Sequence, residues 1–141
     1  PDGTELPEFH VVEYPDWTCV VCLDTEGRFV LVEQYRHGIG SVGLEFASGA
    51  IDDGESPAEG ARRELLEETG YVADRWVDLG RCAPEPSKHT NWAHLFVALE
   101  ARSVSEPTDF AVDSMARSSV TIRSSPRRTR SVCVSHSTMR K

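Results

Sequence analysis

The stretch Gly49 to Tyr71, GAIDDGESPAEGARRELLEETGY, constrains this chain more than any other. Ser56 is placed as a helix N-cap, Pro57 falls at the first helical position, and Glu59 lies three residues after the cap. That is a capping box, with proline where its missing N–H costs nothing. Gly70 is placed to end the helix in a left-handed turn. The pattern predicts a helix over residues 57–69, with Ala58, Ala61, Leu65 and Thr69 on its buried stripe.

The same helix carries more acid than its stability favours. Glu64, Glu67 and Glu68 are spaced i, i+3, i+4 and share one face. They lie in the C-terminal half, where the helix dipole is already negative, and no basic residue follows in the last turn. Arg63 is spaced to pair with Glu59 and Glu67, which leaves Glu64 and Glu68 without a local partner. Gly60, one turn before Glu64, keeps that face open. A solvated acidic face is the bland reading, and it leaves the like-charge cost unexplained. A divalent cation, Mg²⁺ or alternatively Mn²⁺, held by hard carboxylate oxygens supplies the missing charge.

These residues resemble the signature of the Nudix hydrolases. In that family Gly is followed at fixed spacings by Glu, Arg-Glu, an aliphatic residue, Glu-Glu, Gly and a second aliphatic residue. Gly49, Glu55, Arg63, Glu64, Leu65, Glu67, Glu68 and Gly70 fill the positions, and Tyr71 stands in the last aliphatic one. The resemblance implies an α/β/α sandwich with a mixed β-sheet. It also implies metal ligands at Glu64, Glu67, Glu68 and the backbone carbonyl of Ser48. Glu67, Glu68, Arg63 and Glu55 form the implied catalytic set, with Arg63 holding Glu55 and Glu67 in place.

Flanking residues narrow the resemblance to the ADP-ribose pyrophosphatases. Glu33-Gln34-Tyr35-Arg36 and Leu44-Glu45-Phe46-Ala47-Ser48-Gly49 are similar to that group's EQYR and LE-x-PAG patterns, with Ala47 for Pro and Ser48 for Ala. The loop Ala83–Asn91 and its Pro86 are also similar. The implied reaction is metal-dependent hydrolysis of ADP-ribose to AMP and ribose 5-phosphate. The alternatives are hydrolysis of another nucleoside diphosphate sugar, or a catalytically weak nucleotide-sugar-binding protein. Cations between the carboxylates and the pyrophosphate would offset the charge that repels a nucleophile. Arg36, whose guanidinium matches phosphate geometry, is the candidate substrate contact. Its competing role is an ion pair with Glu33 or Glu45, and Glu45 is itself assigned to the substrate site. Tyr35, Trp17 and Tyr14 are candidates for stacking on adenine, or for the core. The group's general base comes from a loop after the last strand, where Glu106, Asp109 and Asp113 are the acids present. His89 and His94 are the neutral-pH alternatives.

The rest of the chain sets the frame. Its 141 residues suit one domain. It starts at Pro1-Asp2-Gly3, which reads as the middle of a turn, so the N-terminal part is expected to be incomplete. The implied N-terminal contribution to a homodimer is then incomplete too. No apolar run is long enough to span a membrane. Cys19, Cys22, Cys82 and Cys133 lack a second metal-knuckle pair, so free thiols and a reducing, cytoplasmic compartment are expected. Residues 1–100 hold 7 basic and 20 acidic residues, which argues against a specific nucleic-acid partner. The expected partner is a small nucleotide sugar.

Strand candidates are Phe9–Tyr14, Trp17–Leu23, Phe29–Gln34, Leu44–Ala47, Tyr71–Leu79 and Ala93–Glu100, with a loop over His37–Gly43. The near-continuous apolar runs predict a sheet covered on both faces. Val72, Trp76 and Leu79 are the expected anchors of the strand after the helix. Residues 1–100 read as the domain. Residues 101–141 form an atypical basic tail with ten serines, 8 basic and 3 acidic residues, and no Gly, Leu, Trp or Tyr. That composition reads as disorder, or as an ending foreign to the family, such as a reading-frame change produces. Val120–Ile122 and Val132–Val134 are its two short strand candidates.

Overall fold

The computed structural model describes residues 10–106 and the backbone of a strand at 119–123. Alternation builds the central strand. In β1 (Trp17–Asp24), Thr18, Val20, Cys22 and Asp24 are buried and the residues between them are half-buried. A two-residue side-chain period makes this one strand with one closed face. Asp24 ends it: its carboxylate accepts the backbone N–H groups of Glu26 and Arg28, each at 2.9 Å, and pairs with the Arg28 side chain. Gly27, at φ 72°, completes the reversal into β2 (Arg28–Arg36).

The two strands are joined only near that turn, at Cys22↔Val30 and Leu23↔Phe29. Beyond it β2 pairs with β3 (Ser41–Glu45), and β1 pairs with β4 (Ala47–Ala50). The chain therefore crosses from one arm of a fork to the other at Phe46, which delivers Ser48 and Gly49 beside the helix. On its other edge β1 runs parallel to β7 (Ala93–Ser103). β7 also pairs with β5 (Tyr71–Val72) and β6 (Arg75–Cys82). The other edge of β2 carries β8 (Ser119–Arg123). The result is a mixed, eight-stranded sheet of α/β class.

The single helix among the described residues, α1 (Pro57–Thr69), has the expected boundaries and caps. Ser56 accepts from the Glu59 backbone N–H, and the Ser56 backbone N–H donates to the Glu59 carboxylate at 2.9 Å. Ala61, Leu65 and Thr69 are buried as predicted, and Ala58 packs partly buried against the core. Gly60, Glu64 and Glu68 are buried beside them. The core joins Ala61 and Leu65 to Val20, Cys22, Val30, Val32, Ala47, Phe96, Ala98 and Ala101. Gly70 sits at φ 71° and caps Leu66 through its N–H. Its carbonyl accepts from Val104 and Ser105, and a Cβ there would lie 1.9 Å from the Ser105 carbonyl oxygen.

Several expectations need correction. Within residues 10–14, only an isolated bridge from Val12 to His89 forms, not a strand; Phe9 lies outside the described residues. The loop after β2 is shorter than expected, because Gly40 turns the chain and β3 starts at Ser41. The single strand expected over 71–79 is two, broken before Arg75. Trp76 packs on Phe96 and half-buried Val72 lies nearby in β5, but Leu79 is 57% exposed and anchors nothing. Among the described residues, α1 closes one face of the sheet. Trp17, Cys19, Val21 and Leu23 on the opposite face are half-buried, and no helix among the described residues packs there. The described residues thus supply one helical layer of the expected sandwich. Strand β8 takes in Val120–Ile122, so the sheet draws on residues beyond 100, whereas Val132–Val134 lie outside the described residues.

Cys19, Cys22 and Cys82 are free thiols, and Cys133 lies outside the described residues. Burial, with Asp24 nearby, pushes the Cys22 thiol up to about 12. No helix among the described residues is long and apolar enough to cross a membrane.

Gly70 closes the helix and lets the end of β7 approach it. Gly70→Ala should lower unfolding free energy in urea by at least roughly 1–2 kcal/mol, the usual cost of a left-handed non-glycine residue, before the clash is counted. An unchanged midpoint would contradict this account of the cap.

Candidate active site

The site is built on the C-terminal half of α1, the β4 strand and one arginine. Arg63 donates through Nε and Nη2 to the two carboxylate oxygens of Glu55, at 3.0 and 2.9 Å. Nη2 also donates to the Ala50 carbonyl at 2.9 Å, which ties the helix to the end of β4. Nη1 donates to Glu64 at 2.7 Å and to Glu67 at 3.2 Å. Asp52 lies 3.7 Å from Nε. One planar, five-donor group thus serves several acids in a fixed geometry. The predicted pairing with Glu67 is present. The predicted pairing with Glu59 is not, because the capping box keeps Glu59 on Ser56. Glu64, expected to lack a local partner, has Arg63.

Arg63 holds the Glu55 carboxyl below the usual carboxylate range, and the Asp52 backbone N–H adds to that effect. The Arg63 pKa is raised in return, first by Glu55 and then by Glu64.

Two glycines are steric requirements. A Cβ on Gly49 would lie 2.1 Å from a Glu64 carboxylate oxygen, so this glycine leaves room for that carboxylate. A Cβ on Gly60 would meet Glu55 at 3.0 Å and Thr18 at 3.5 Å. The open face that Gly60 was expected to provide is filled by Glu55. Glu68, only 6% exposed, accepts from the Ser48 backbone N–H at 2.9 Å. Sequence reasoning missed the Ala50 carbonyl and this Ser48 N–H, because neither main-chain contact has a side-chain signature.

Arg36 and Glu45 form a fork-to-fork pair across β2 and β3, with contacts of 2.9, 3.2 and 2.5 Å. The ion-pair alternative for Arg36 is therefore the observed contact. Strand alternation puts both residues on the face of Val32, toward α1. Glu45, and further off Glu68, raise the Arg36 pKa, which places Arg36 in the field of the helix acids. The aromatic candidates go elsewhere. Trp17 and Tyr35 occupy the alternate positions, on the sheet face away from α1. Tyr35 meets His37 edge-on and Tyr14 meets His89 edge-on. The structure does not bring these rings to the carboxylates.

Among the base candidates, His94 lies 3.2 Å from Asp16, whose other oxygen accepts the Trp92 backbone N–H. Glu106 is exposed, and Asp109 and Asp113 lie outside the described residues. An apolar hollow of about 230 Å³ between α1 and β5–β6, walled by Leu65, Leu66, Val72 and Trp76, shares only Arg63 with the site.

The donor set suits a hard divalent cation in chemistry: two buried carboxylates, a third one turn away, and the main chain of β4 alongside. Among the described residues, however, no three acidic, His or Cys side chains are gathered as a ready metal cage. Glu64 and Glu67 are gathered on Arg63 instead.

The family model described as the NUDIX domain matches residues 14–117. An ADP-ribose pyrophosphatase of Bacillus subtilis (strain 168) is 29% identical over 117 residues, covering 79% of this chain and 63% of that protein. A methanol dehydrogenase activator of Bacillus methanolicus is 34% identical over 102 residues, covering 69% and 55%. A solved structure titled as an ADP compounds hydrolase superposes with a TM-score of 0.64 at 27% identity, covering 75% of this chain and 55% of the other. The chain thus spans less than two thirds of the length of these proteins.

The Glu55–Arg63 pair gives stability a defined pH dependence. Glu55 has a depressed folded pKa, so its contribution is fully present above the unfolded value of roughly 4.3 and is lost as pH falls through the lower folded one. Urea melts of wild type and Glu55→Gln should differ most near neutrality and converge in acid. A gap that stays constant into acid would contradict the pairing.

Proposed function

The chain belongs to the NUDIX domain family, and from that premise we propose that it is a divalent-metal-dependent pyrophosphohydrolase whose substrate is ADP-ribose, cleaved to AMP and ribose 5-phosphate. The observation that carries the reading is the convergence of buried Glu64 and Glu68 on the β4 backbone at Gly49 and Ser48. Hard carboxylate oxygens gathered beside the main chain of one strand suit a divalent cation that also meets the pyrophosphate.

Glu64 and Glu68, with Glu67 and the Ser48 carbonyl, would hold Mg²⁺, or Mn²⁺ in its place. When bound, the cation supplies charge neutralisation at the bridging phosphates and an activated water. The chain's own residues do the rest. Gly49 lets the Glu64 carboxylate lie flat against β4. The Ser48 N–H fixes the orientation of Glu68. Glu55 and the Ala50 carbonyl fix Arg63, whose Nη1 meets Glu64 and Glu67. Arg36 lies on the same face with its Nε–Nη2 edge held by Glu45, and would meet a phosphate through Nη1.

A second reading, hydrolysis of a different nucleoside diphosphate compound, is favoured by one observation: Trp17 and Tyr35 lie on the sheet face away from α1, so neither ring meets an adenine at these carboxylates. We read residues 1–100 as the body of the domain and residues 101–141 as its atypical extension, with β8 contributed by the latter.

AMP release from ADP-ribose in Mg²⁺ tests the reading. Glu68→Gln should cut kcat by at least about a hundredfold, since loss of even a group supporting a metal ligand costs about 10–100-fold. Arg36→Ala should chiefly raise KM. Release unchanged by Glu68→Gln would overturn the assignment, and a panel of nucleoside diphosphate sugars would decide between the two substrate readings.

A further inference from the structure

The Arg63 guanidinium is divided between two jobs. Its Nε–Nη2 edge is occupied by Glu55 and the Ala50 carbonyl, which belong to the loop and strand before the helix. Its Nη1 points the other way, onto Glu64 at 2.7 Å and Glu67 at 3.2 Å. Glu64 is 8% exposed, so it cannot rely on water for compensation. Both acids are assigned above to a divalent cation, and both meet the same Arg63 nitrogen.

We propose that Arg63 is an internal counter-ion that trades places with the metal. Nη1 holds Glu64 and Glu67 in the metal-free protein, and a divalent cation takes those carboxylates from it. The Nε–Nη2 edge keeps its grip on Glu55 and Ala50, so the arginine stays in place through the exchange. This inference rests on the metal-dependent reading of the site. It has a consequence opposite to that of a purely supporting residue. A group that only orients metal ligands weakens binding about 10–100-fold when removed. A competing cation, when removed, leaves the acids free for the metal and tightens binding. Glu55→Gln should act in the opposite sense, because Arg63 then rests more heavily on Glu64 and Glu67.

The test is Mg²⁺ titration of the full chain by calorimetry, on wild type, Arg63→Gln and Glu55→Gln, with nucleotide absent. The exchange predicts a lower Kd for Arg63→Gln and a higher one for Glu55→Gln. An unchanged or raised Kd for Arg63→Gln would overturn it. Where Arg63→Gln fails to fold, nitrogen-15 NMR of the wild-type arginine side chains serves instead. Saturating Mg²⁺ should move the Arg63 Nη signals and leave its Nε signal in place; Nη signals that do not respond to bound Mg²⁺ would overturn the exchange. Absence of any Mg²⁺ binding to wild type would instead overturn the metal-dependent reading on which the exchange rests.

Discussion

Arg63 binds Glu55, Glu64, Glu67 and the Ala50 carbonyl from one guanidinium plane, and the site depends on that concentration of contacts. Without a cation in their midst, these acids would repel one another, and the helix dipole offers Glu64 and Glu67 nothing. A lysine could not replace it, since a single ammonium has neither the reach nor the planar fork to satisfy opposite sides at once. The guanidinium also explains why the helix can carry its acids.

What brings the arginine its partners is the fork in the sheet. Because β1 and β2 are joined only near their turn, the β3–β4 segment can pair with both arms. That puts Gly49 against Glu64 and Ser48 against Glu68, while Arg36 and Glu45 stay on the neighbouring arm, facing the same way. The core beneath, centred on Val20, Val32, Ala47 and Leu65, is what fixes the helix over the fork. Packing, main-chain hydrogen bonds and charge therefore agree on one placement of the acids, and consistency of that kind gives a sequence a single structure.

Much of this was legible in the sequence, and for physical reasons. Ser56, Pro57, Glu59 and Gly70 each act within a few residues of themselves, so the helix and its ends could be read locally. The acidic face was equally local. Long-range main-chain contacts were not: the Ala50 carbonyl and the Ser48 N–H depend on where β4 meets the helix, and register across strands chose Glu45 over Glu33 as the partner of Arg36. The facing of Trp17 and Tyr35 was lost for the same reason, since near-continuous apolar strands do not say which alternate residues meet the helix. The break between β5 and β6 and the exposure of Leu79 show the same limit at the sheet's edge. Strand β8 was visible only as Val120-Thr121-Ile122 within a Ser- and Arg-rich run, and its pairing with β2 was not.

The central claim is that Glu64, Glu68 and the β4 main chain form one cation site beside Arg63. Anomalous diffraction from crystals grown with Mn²⁺ tests it most directly. The account predicts a peak bounded by the Glu64 and Glu68 carboxylates and the Ser48 carbonyl. A well-ordered structure with its Mn²⁺ peak elsewhere, or with none near α1, would contradict it.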